Sequence, residues 1–481
     1  MKRILFAAVV AGLLVGTADI NAQESISLKQ AIEIAGGASY EAEAAEAAYQ
    51  QEIWNYESFK ASLKPSLELD LNPSYIKETF DYKYIYAYPR NFDMFSTLAE
   101  LKMKQKVSSL GGDFYASTSG VWTEYFNNVN DYQRLFGAAP IRIGYQQDLL
   151  GFNRYKWEKA IHEAEIGKAS VERNNEMLAI AGKTAGLYMD ALRAEALYKM
   201  YRSNSETAES LFKIGQEKFK ITAIRNDELS SLELQWQNSI NSCAIAEIEM
   251  KNAFAALESY LQLGGSIAGR LAVPEMPGSI LIDRDAVLNA VEANNPVYSR
   301  NKLSMLEARR DEEKAKKETG IQADMDLNLG LQNYSPAFGA AFTDQNLFSY
   351  SGVGIRIPII NRKTAKDRYK AAQYATRAAD ARANEDLRSL RVDVESAIRD
   401  FENYQTLIGQ AEKTMKLADE AYRQANDNYA SGIADINTFA IAQSRKESAY
   451  SNYLNALCNY WEAYYRLAVL CGKELTELYP L

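Results

Sequence analysis

Histidine is nearly absent from this chain, which has a single one, His162, among 481 residues. Its acidic neighbours Glu158 and Glu165 form an ordinary helix-surface pattern, so the sequence offers no histidine-based catalytic or metal site. The sequence also contains no glycine-rich phosphate-binding loop and no nucleophilic-serine elbow. We therefore expect a protein that is not an enzyme and that needs no cofactor.

Positive charge is in deficit as well, because 54 Lys and Arg residues face 63 Asp and Glu residues. The net charge of -9 and the pI near 5.2 leave no basic patch for nucleic acid and do not favour adhesion to acidic lipid headgroups. Only 3 cysteines are present, without ligand-like spacing, and we expect them to be small buried residues.

Long apolar segments are missing after the N-terminus, so no later part of the sequence predicts a membrane-spanning helix. Residues 1–22, MKRILFAAVVAGLLVGTADINA, combine a basic start, a short apolar core and Ala22 as a cleavage residue, which is typical of a signal peptide. An N-terminal anchor is the alternative, although the apolar core is short of the ~20 residues of a span. No cysteine stands directly after that core, so lipoprotein processing is not expected. The chain is expected to be exported and to enter any membrane as strands.

Proline is also scarce, and two long stretches, 153–221 and 359–479, contain none. Such stretches predict very long helices, the first reaching roughly 100 Å at 1.5 Å per residue. An apolar seam with alternating steps of three and four residues predicts coiled-coil packing, whereas a core stripe in a globular bundle is the alternative that this length disfavours. The seam consists of Ile408, Ala411, Met415, Ala418, Tyr422, Ala425 and Tyr429.

Internal repetition is the strongest organisational signal in the chain. The tripeptides IRI and RYK each occur twice, and in both cases the two copies are separated by the same number of residues. The segment RLAVPEMPGS, residues 270–279, contains proline and glycine and is the expected linker. The sequence therefore predicts two tandem repeats, 23–269 and 280–481, each with a helix, strands, a long helix, a short turn and a second long helix.

Strands are predicted where apolar and polar residues alternate with a period of two, as in LELDLN at 67–72 and MDLNLGLQ at 325–332. The first half has an additional hairpin-like piece between Leu98 and Phe126, turning at Gly111-Gly112, that the second half lacks. A soluble sandwich would place the apolar face inward, whereas a membrane barrel would turn it towards lipid and the polar face towards a wet lumen.

Aromatic residues favour the barrel, because they crowd around the first strand and its loop as an interfacial girdle would. They are Tyr75, Phe80, Tyr82, Tyr84, Tyr86, Tyr88, Phe92 and Phe95.

Taken in this order, the motifs resemble those of TolC-type outer-membrane efflux proteins, the outer membrane factor family. The resemblance covers essentially the whole mature chain and rests on LKQAIEIA, on IRIGYQQDLLGFNRYKWEKAIHEAE and IRIPIINRKTAKDRYKAAQ, and on FKITAIRNDEL and YASGIADINTF. It implies an α+β membrane protein: a homotrimer whose protomers contribute strands to one shared β-barrel and helices to one long periplasmic coiled-coil tunnel. Sharing also follows from the few strands per chain, since open sheet edges cannot face lipid.

The stretch YASGIADI interrupts the second helical run with a helix-ending Gly432 and with Asp435, which can cap the next helix. The resemblance implies that such hairpin ends lie at the periplasmic entrance and meet an adaptor, and the alternative is that they are plain turns. The candidate docking residues are Ile221, Thr222, Ala223, Ser431, Gly432 and Ile433.

Acidic residues close to the second hairpin end are candidates for a periplasmic gate, because rings of like charge in a narrow throat attract cations. The acidic candidates are Asp419, Glu420, Asp427 and Asp435, with Arg423 as an internal partner. Asp427 is the choice for the lumen, and a solvated helix surface is the alternative.

The resemblance implies an outer-membrane channel in a tripartite efflux or secretion system, with outer-membrane lipid, a periplasmic adaptor and an inner-membrane transporter as partners. The alternative function is an exported periplasmic coiled-coil scaffold or tether that forms no pore.

Overall fold

The computed structural model describes residues 25–80, 90–126, 134–274, 280–357, 362–431, 433 and 435–478. The expected signal peptide, the later part of the expected linker and Gly432 lie outside the described residues. So do the loop tyrosines Tyr82, Tyr84, Tyr86 and Tyr88 of the expected aromatic girdle.

The described residues contain one antiparallel sheet and nine α-helices, so the fold is α+β and rich in helix. The strands are β1 (Ser66–Phe80), β2 (Arg90–Val107), β3 (Gly112–Tyr125), β4 (Arg134–Asp148), β5 (Gln322–Ser335) and β6 (Asn346–Arg356). The helices are α1 (Leu28–Ala38), α2 (Tyr40–Ser62), α3 (Arg154–Lys220), α4 (Asn226–Tyr260), α5 (Arg284–Asn294), α6 (Pro296–Glu318), α7 (Arg362–Ala430), α8 (Ile436–Cys471) and α9 (Leu475–Leu478).

These elements form two compact units. Unit 1 comprises the chain up to Ala47, Val171–Asn295 and the chain from Ser389 onward. Unit 2 comprises Ala48–Ser170 and Pro296–Arg388, and it contains the whole sheet. Helices α2, α3 and α7 contribute residues to both units.

The sheet of unit 2 is a six-stranded meander in the order β1-β2-β3-β4-β5-β6. The predicted extra hairpin is confirmed as β2 and β3, which are inserted between β1 and β4. Strands β4 and β5 pair although one comes from each half of the chain. Among the described residues, β1 and β6 each have one paired side and so form the two edges of the sheet.

The two faces of the sheet differ in polarity, as the period of two requires. Apolar side chains share one face in every strand, and they are exposed rather than covered by a second layer. This face includes Leu67, Leu69, Leu71, Leu101, Met103, Phe114, Trp122, Ile141, Ile143, Leu327, Leu329, Leu347, Val353 and Ile355. The soluble-sandwich interpretation required these side chains to be buried, and it is wrong.

The long helices form as the missing prolines predict. Helix α3 has 67 residues and helix α7 has 69, and the run from α7 to α8 is interrupted after Ala430. Helix α1 begins with a capping box, in which the Ser27 hydroxyl accepts from the Gln30 amide and Gln30 Oε1 accepts from the Ser27 amide. In the described part of the chain, no helix is long and apolar enough to cross a membrane.

Candidate functional site

The first hairpin end in unit 1, between α3 and α4, turns at Thr222. This residue adopts a left-handed backbone with φ of 59°. The Thr222 amide donates to the Phe219 carbonyl at 2.9 Å, and the Ala223 amide donates to the Lys218 carbonyl at 2.8 Å. This pair of bonds is the Schellman pattern, in which glycine usually holds the left-handed position. Thr222 therefore makes a glycine-type turn at a cost in backbone strain, because its side chain is β-branched.

The second hairpin end, between α7 and α8, has the same bond spacing. The Ile433 amide donates to the Asn428 carbonyl at 2.8 Å, five residues back, as Ala223 does to Lys218. Asp435 then caps α8, since its Oδ1 atom accepts from the Thr438 amide at 2.8 Å and from the Thr438 hydroxyl at 2.7 Å. These bonds lower the pKa of Asp435, and they confirm the expected cap.

The two hairpins meet in one apolar cluster just behind their ends. Phe439 lies at its centre, with its ring 5.7 Å from the Tyr422 ring and 5.8 Å from the Tyr429 ring. Phe212 of α3 stacks on Trp236 of α4 at 5.3 Å. The buried members of the cluster are Leu211, Phe212, Leu232, Tyr422, Tyr429, Ile436 and Phe439. Because both hairpins contribute, their ends form a single packed platform.

A polar layer lies beside this cluster. Glu447 Oε1 accepts from the Asn204 side chain at 2.7 Å and from the Gln443 side chain at 2.9 Å. Gln443 in turn accepts from the Gln235 side chain at 2.9 Å, so α3, α4 and α8 are joined by one hydrogen-bonded chain. Buried polar layers of this kind fix the register between packed helices. The sequence does not reveal this layer, because Asn204 is 243 residues from Glu447 and Gln235 is 208 residues from Gln443.

Two isoleucines project from the platform into solvent. Ile221 is 73% exposed and Ile433 is 78% exposed, although both are large apolar residues beside turns. Full burial of one such side chain is worth about 1.5–3 kcal/mol. Each hairpin end thus presents one apolar contact point that a partner could cover.

The three predicted gate residues have different environments. Arg423 pairs with Asp419 at 2.9 Å, and Asp419 also pairs with Lys446 of α8 at 3.2 Å. Asp435 is occupied as the helix cap, and Asp427 is exposed on α7 away from the buried Tyr422 and Tyr429. Arg423 therefore does pair with one of the acidic candidates near this hairpin end, and that candidate is Asp419.

The polar face of the sheet in unit 2 carries charged and hydroxyl-bearing side chains. Tyr115 lies against Gly144, where a Cβ atom would come within 2.4 Å of its hydroxyl, so glycine is needed there. Lys102 lies over the Tyr115 ring at 4.7 Å. Gln146 donates to Asp326 at 3.2 Å. An apolar outer band and a polar inner face are the two surfaces that a strand-built channel needs.

An open sheet with these two surfaces, in a chain with helices of nearly 70 residues, has the features of an outer-membrane channel protein. Comparisons support this class. Residues 300–473 match the outer membrane efflux protein family. No curated protein sequence matches the chain. The expected resemblance to the outer membrane factor family is confirmed.

Solved structures share the fold over nearly the whole chain. The Campylobacter jejuni CmeC outer membrane channel is 12% identical with a TM-score of 0.66, and the match covers 92% of this chain and 85% of CmeC. The outer membrane protein VceC of Vibrio cholerae is 15% identical with a TM-score of 0.64, covering 93% of this chain and 96% of VceC. The open-state Neisseria gonorrhoeae MtrE outer membrane channel is 16% identical with a TM-score of 0.62, covering 93% of this chain and 89% of MtrE. Identities this low establish the fold alone. The match of residues 300–473 to an outer membrane efflux protein family fits the expectation that the protein is not an enzyme.

Proposed function

We propose that this protein is the outer-membrane channel of a tripartite efflux or secretion system, a passive exit duct from the periplasm to the exterior. The observation that carries the proposal is the exposed apolar face that crosses all six strands of an open sheet. The chain would be exported by its N-terminal signal peptide and would be built from two tandem repeats, 23–269 and 280–481.

The open edges explain why several copies are needed. A lipid-exposed edge leaves backbone N–H and C=O groups unpaired, and each such group costs several kcal/mol in hydrocarbon. Pairing β6 of one protomer with β1 of the next removes both edges without any change within the sheet. We propose a homotrimer closed in this way, with the apolar face towards lipid, the polar face towards the lumen, and the long helices forming a periplasmic tunnel.

The hairpin ends are the proposed docking sites for a periplasmic adaptor that links the channel to an inner-membrane transporter. Exposed Ile221 and Ile433 supply the apolar contacts, and the neighbouring turn residues hold them in place. The remaining proposed docking residues are Thr222, Ala223, Ser431 and Gly432.

For the proposed gate, Asp427 is the residue that would face the lumen. Asp435 would act by holding the turn as the cap of α8, and Arg423 by its salt bridge to Asp419.

The alternative function, a tether without a pore, does not account for the sheet. A soluble tether would expose the apolar residues of six strands to water, and exposed apolar patches of this extent mark interaction or membrane surfaces. The channel is therefore the better supported function.

The docking proposal is tested with Ile221→Asp combined with Ile433→Asp. The matched control, Gln216→Asp combined with Asn428→Asp, adds the same charge at exposed polar positions near the same two hairpin ends. Each variant is co-expressed with a periplasmic adaptor that co-purifies with the wild-type channel, and the adaptor that co-purifies with the variant is quantified. We expect the isoleucine variant to keep its detergent-stable oligomer and to lose the adaptor, whereas the control keeps both. Equal adaptor recovery from both variants would contradict the docking proposal.

A further inference from the structure

Among the described residues, the hairpin formed by β2 and β3 has no counterpart in the second half of the chain, which contributes β5 and β6 to the sheet. We infer that this hairpin widens the outer-membrane exit, so that the channel passes solutes too large for a barrel with four strands per protomer. The inference rests on the proposed function, because it needs three copies sharing one barrel.

The hairpin is a full part of the sheet. Strand β2 pairs with β1 from Ser66↔Lys104 to Phe80↔Arg90, and β3 pairs with β4 from Gly112↔Gln147 to Glu124↔Arg134. Strands β1 and β4 are therefore separated by two complete strands. A flap lying inside the lumen would instead leave β1 and β4 paired with each other.

Both faces of the hairpin continue the faces of the neighbouring strands. Met103 of β2 is level with Leu67 of β1, and Ala116 of β3 is level with Ile143 of β4. The large apolar side chains described as exposed within the two strands are Leu101, Met103, Phe114 and Trp122. On the opposite face, Lys104 forms an ion pair with Asp113 at 3.3 Å. A strand pair with one apolar face, suited to lipid, and one charged face, suited to an aqueous lumen, belongs in a barrel wall.

The turn of the hairpin is tied to the helices on either side of the sheet. Gln105 Nε2 donates to the Leu63 carbonyl at 2.6 Å, just after α2. Tyr155, at the start of α3, donates its hydroxyl to Asp113 Oδ1 at 2.7 Å, and burial raises the pKa of Tyr155 to about 12. Gly111 holds the turn with φ of +79°, against the side chain of Asn153. Anchors on both sides fix the hairpin in the wall.

The strand count sets the width of the exit. With strands ~4.8 Å apart and tilted by ~40°, each strand occupies about 6.3 Å of circumference. Three copies with six strands each then give a backbone diameter of about 36 Å, against about 24 Å for four strands each. Side chains on the inner face take about 5 Å on each side, which leaves free widths of about 26 Å and about 14 Å.

The test measures the size limit of the barrel from outside. Asp324 lies on the polar face at the end of the sheet next to α6, so a reagent added to intact cells must cross the barrel to reach a cysteine there. Asp324→Cys is introduced after Cys243, Cys458 and Cys471 are replaced by alanine. Thiol-reactive polymers of graded diameter are then applied. We expect labelling by reagents wider than about 14 Å, up to about 20 Å, and a size limit at or below about 14 Å would overturn the inference.

A second variant removes residues 90–126, so that β1 is followed directly by β4 and the alternation of strand direction is kept. The largest reagent that labels Asp324→Cys in this variant should be smaller than about 14 Å, and an unchanged size limit would overturn the inference. If this variant does not assemble, the limit measured on the full chain still decides. Labelling by the smallest reagent together with a narrow limit refutes only the wide exit, whereas no labelling by any reagent refutes the proposed channel as well.

Discussion

Arginine substitutions on the apolar face of β5 test the orientation of the sheet. Leu327 is 40% exposed and Leu329 is 52% exposed, and both side chains point to the same face because they are two residues apart in one strand. An arginine facing lipid near the bilayer midplane costs ~2–4 kcal/mol. The double variant Leu327→Arg with Leu329→Arg should therefore lose ~4–8 kcal/mol of membrane stability, which is enough to abolish assembly of the detergent-stable oligomer.

The control is Gln146→Arg, which places a single arginine on the polar face of the neighbouring strand β4. Gln146 is exposed and already donates to the carboxylate of Asp326, so an arginine there can keep an acidic partner in the wet lumen. Asn328 is a less suitable control, because its Oδ1 atom is buried and a larger side chain there would test packing. The assay is the recovery of heat-modifiable oligomer from outer-membrane fractions. Normal assembly of the double variant, or equal loss in the control, would refute the orientation.

Three further predictions concern the helical hairpins. Thr222→Gly should stabilise the first hairpin by ~0.5–1 kcal/mol, because relief of ~1–2 kcal/mol of left-handed strain exceeds the chain entropy cost of glycine. Slower amide hydrogen exchange near this turn would verify the prediction, and faster exchange would count against it. Ala425→Trp should cost ~1–3 kcal/mol or more by overpacking a buried position of the α7 seam, measured as a lower midpoint of thermal unfolding of the oligomer; an unchanged midpoint would mean that the seam is misplaced. Because the pKa of Asp435 is lowered, its cap stabilises α8 at pH values above the ordinary carboxyl pKa, and this stability is lost as the pH falls through the lowered pKa. Amide protection in the first turn of α8 should therefore fall on acidification in the wild type and stay constant in Asp435→Asn, and parallel profiles would contradict this.

Much of the fold could be predicted because it is encoded locally. The alternating segments LELDLN and MDLNLGLQ lie in β1 and β5, the proline-free stretches form the long helices α3 and α7, and Asp435 caps α8 as expected. Each of these features depends on neighbours within one turn or one strand.

Other features depend on contacts that sequence spacing does not reveal. Thr222 takes the left-handed position at which the pattern would require glycine. Packing in the cluster behind both hairpin ends holds the turn in this conformation despite the strain. The salt bridge from Asp419 to Lys446 crosses from α7 to α8, so the sequence around Asp419 alone could not show it. Phe439 lies in the first turn of α8, just after the second hairpin turn, and belongs to the apolar core of the platform. An apolar residue at this position was the available sequence signal for that core.

Disulfide trapping between the two edges of the sheet tests most directly whether several copies close one barrel. In the background without native cysteines, single cysteines replace polar-face positions of β1 (Glu68, Asp70 or Asn72), and a second cysteine replaces Tyr350, Gly352 or Gly354 of β6. This panel covers the alternative registers, since a disulfide forms only when the Cβ atoms approach to ~3.5–4.5 Å. After oxidation in outer membranes, the account predicts a covalent ladder that ends at three chains. Bonds formed only within single chains would show that one protomer closes its own barrel, and the absence of any bond across the panel would show that these edges do not meet.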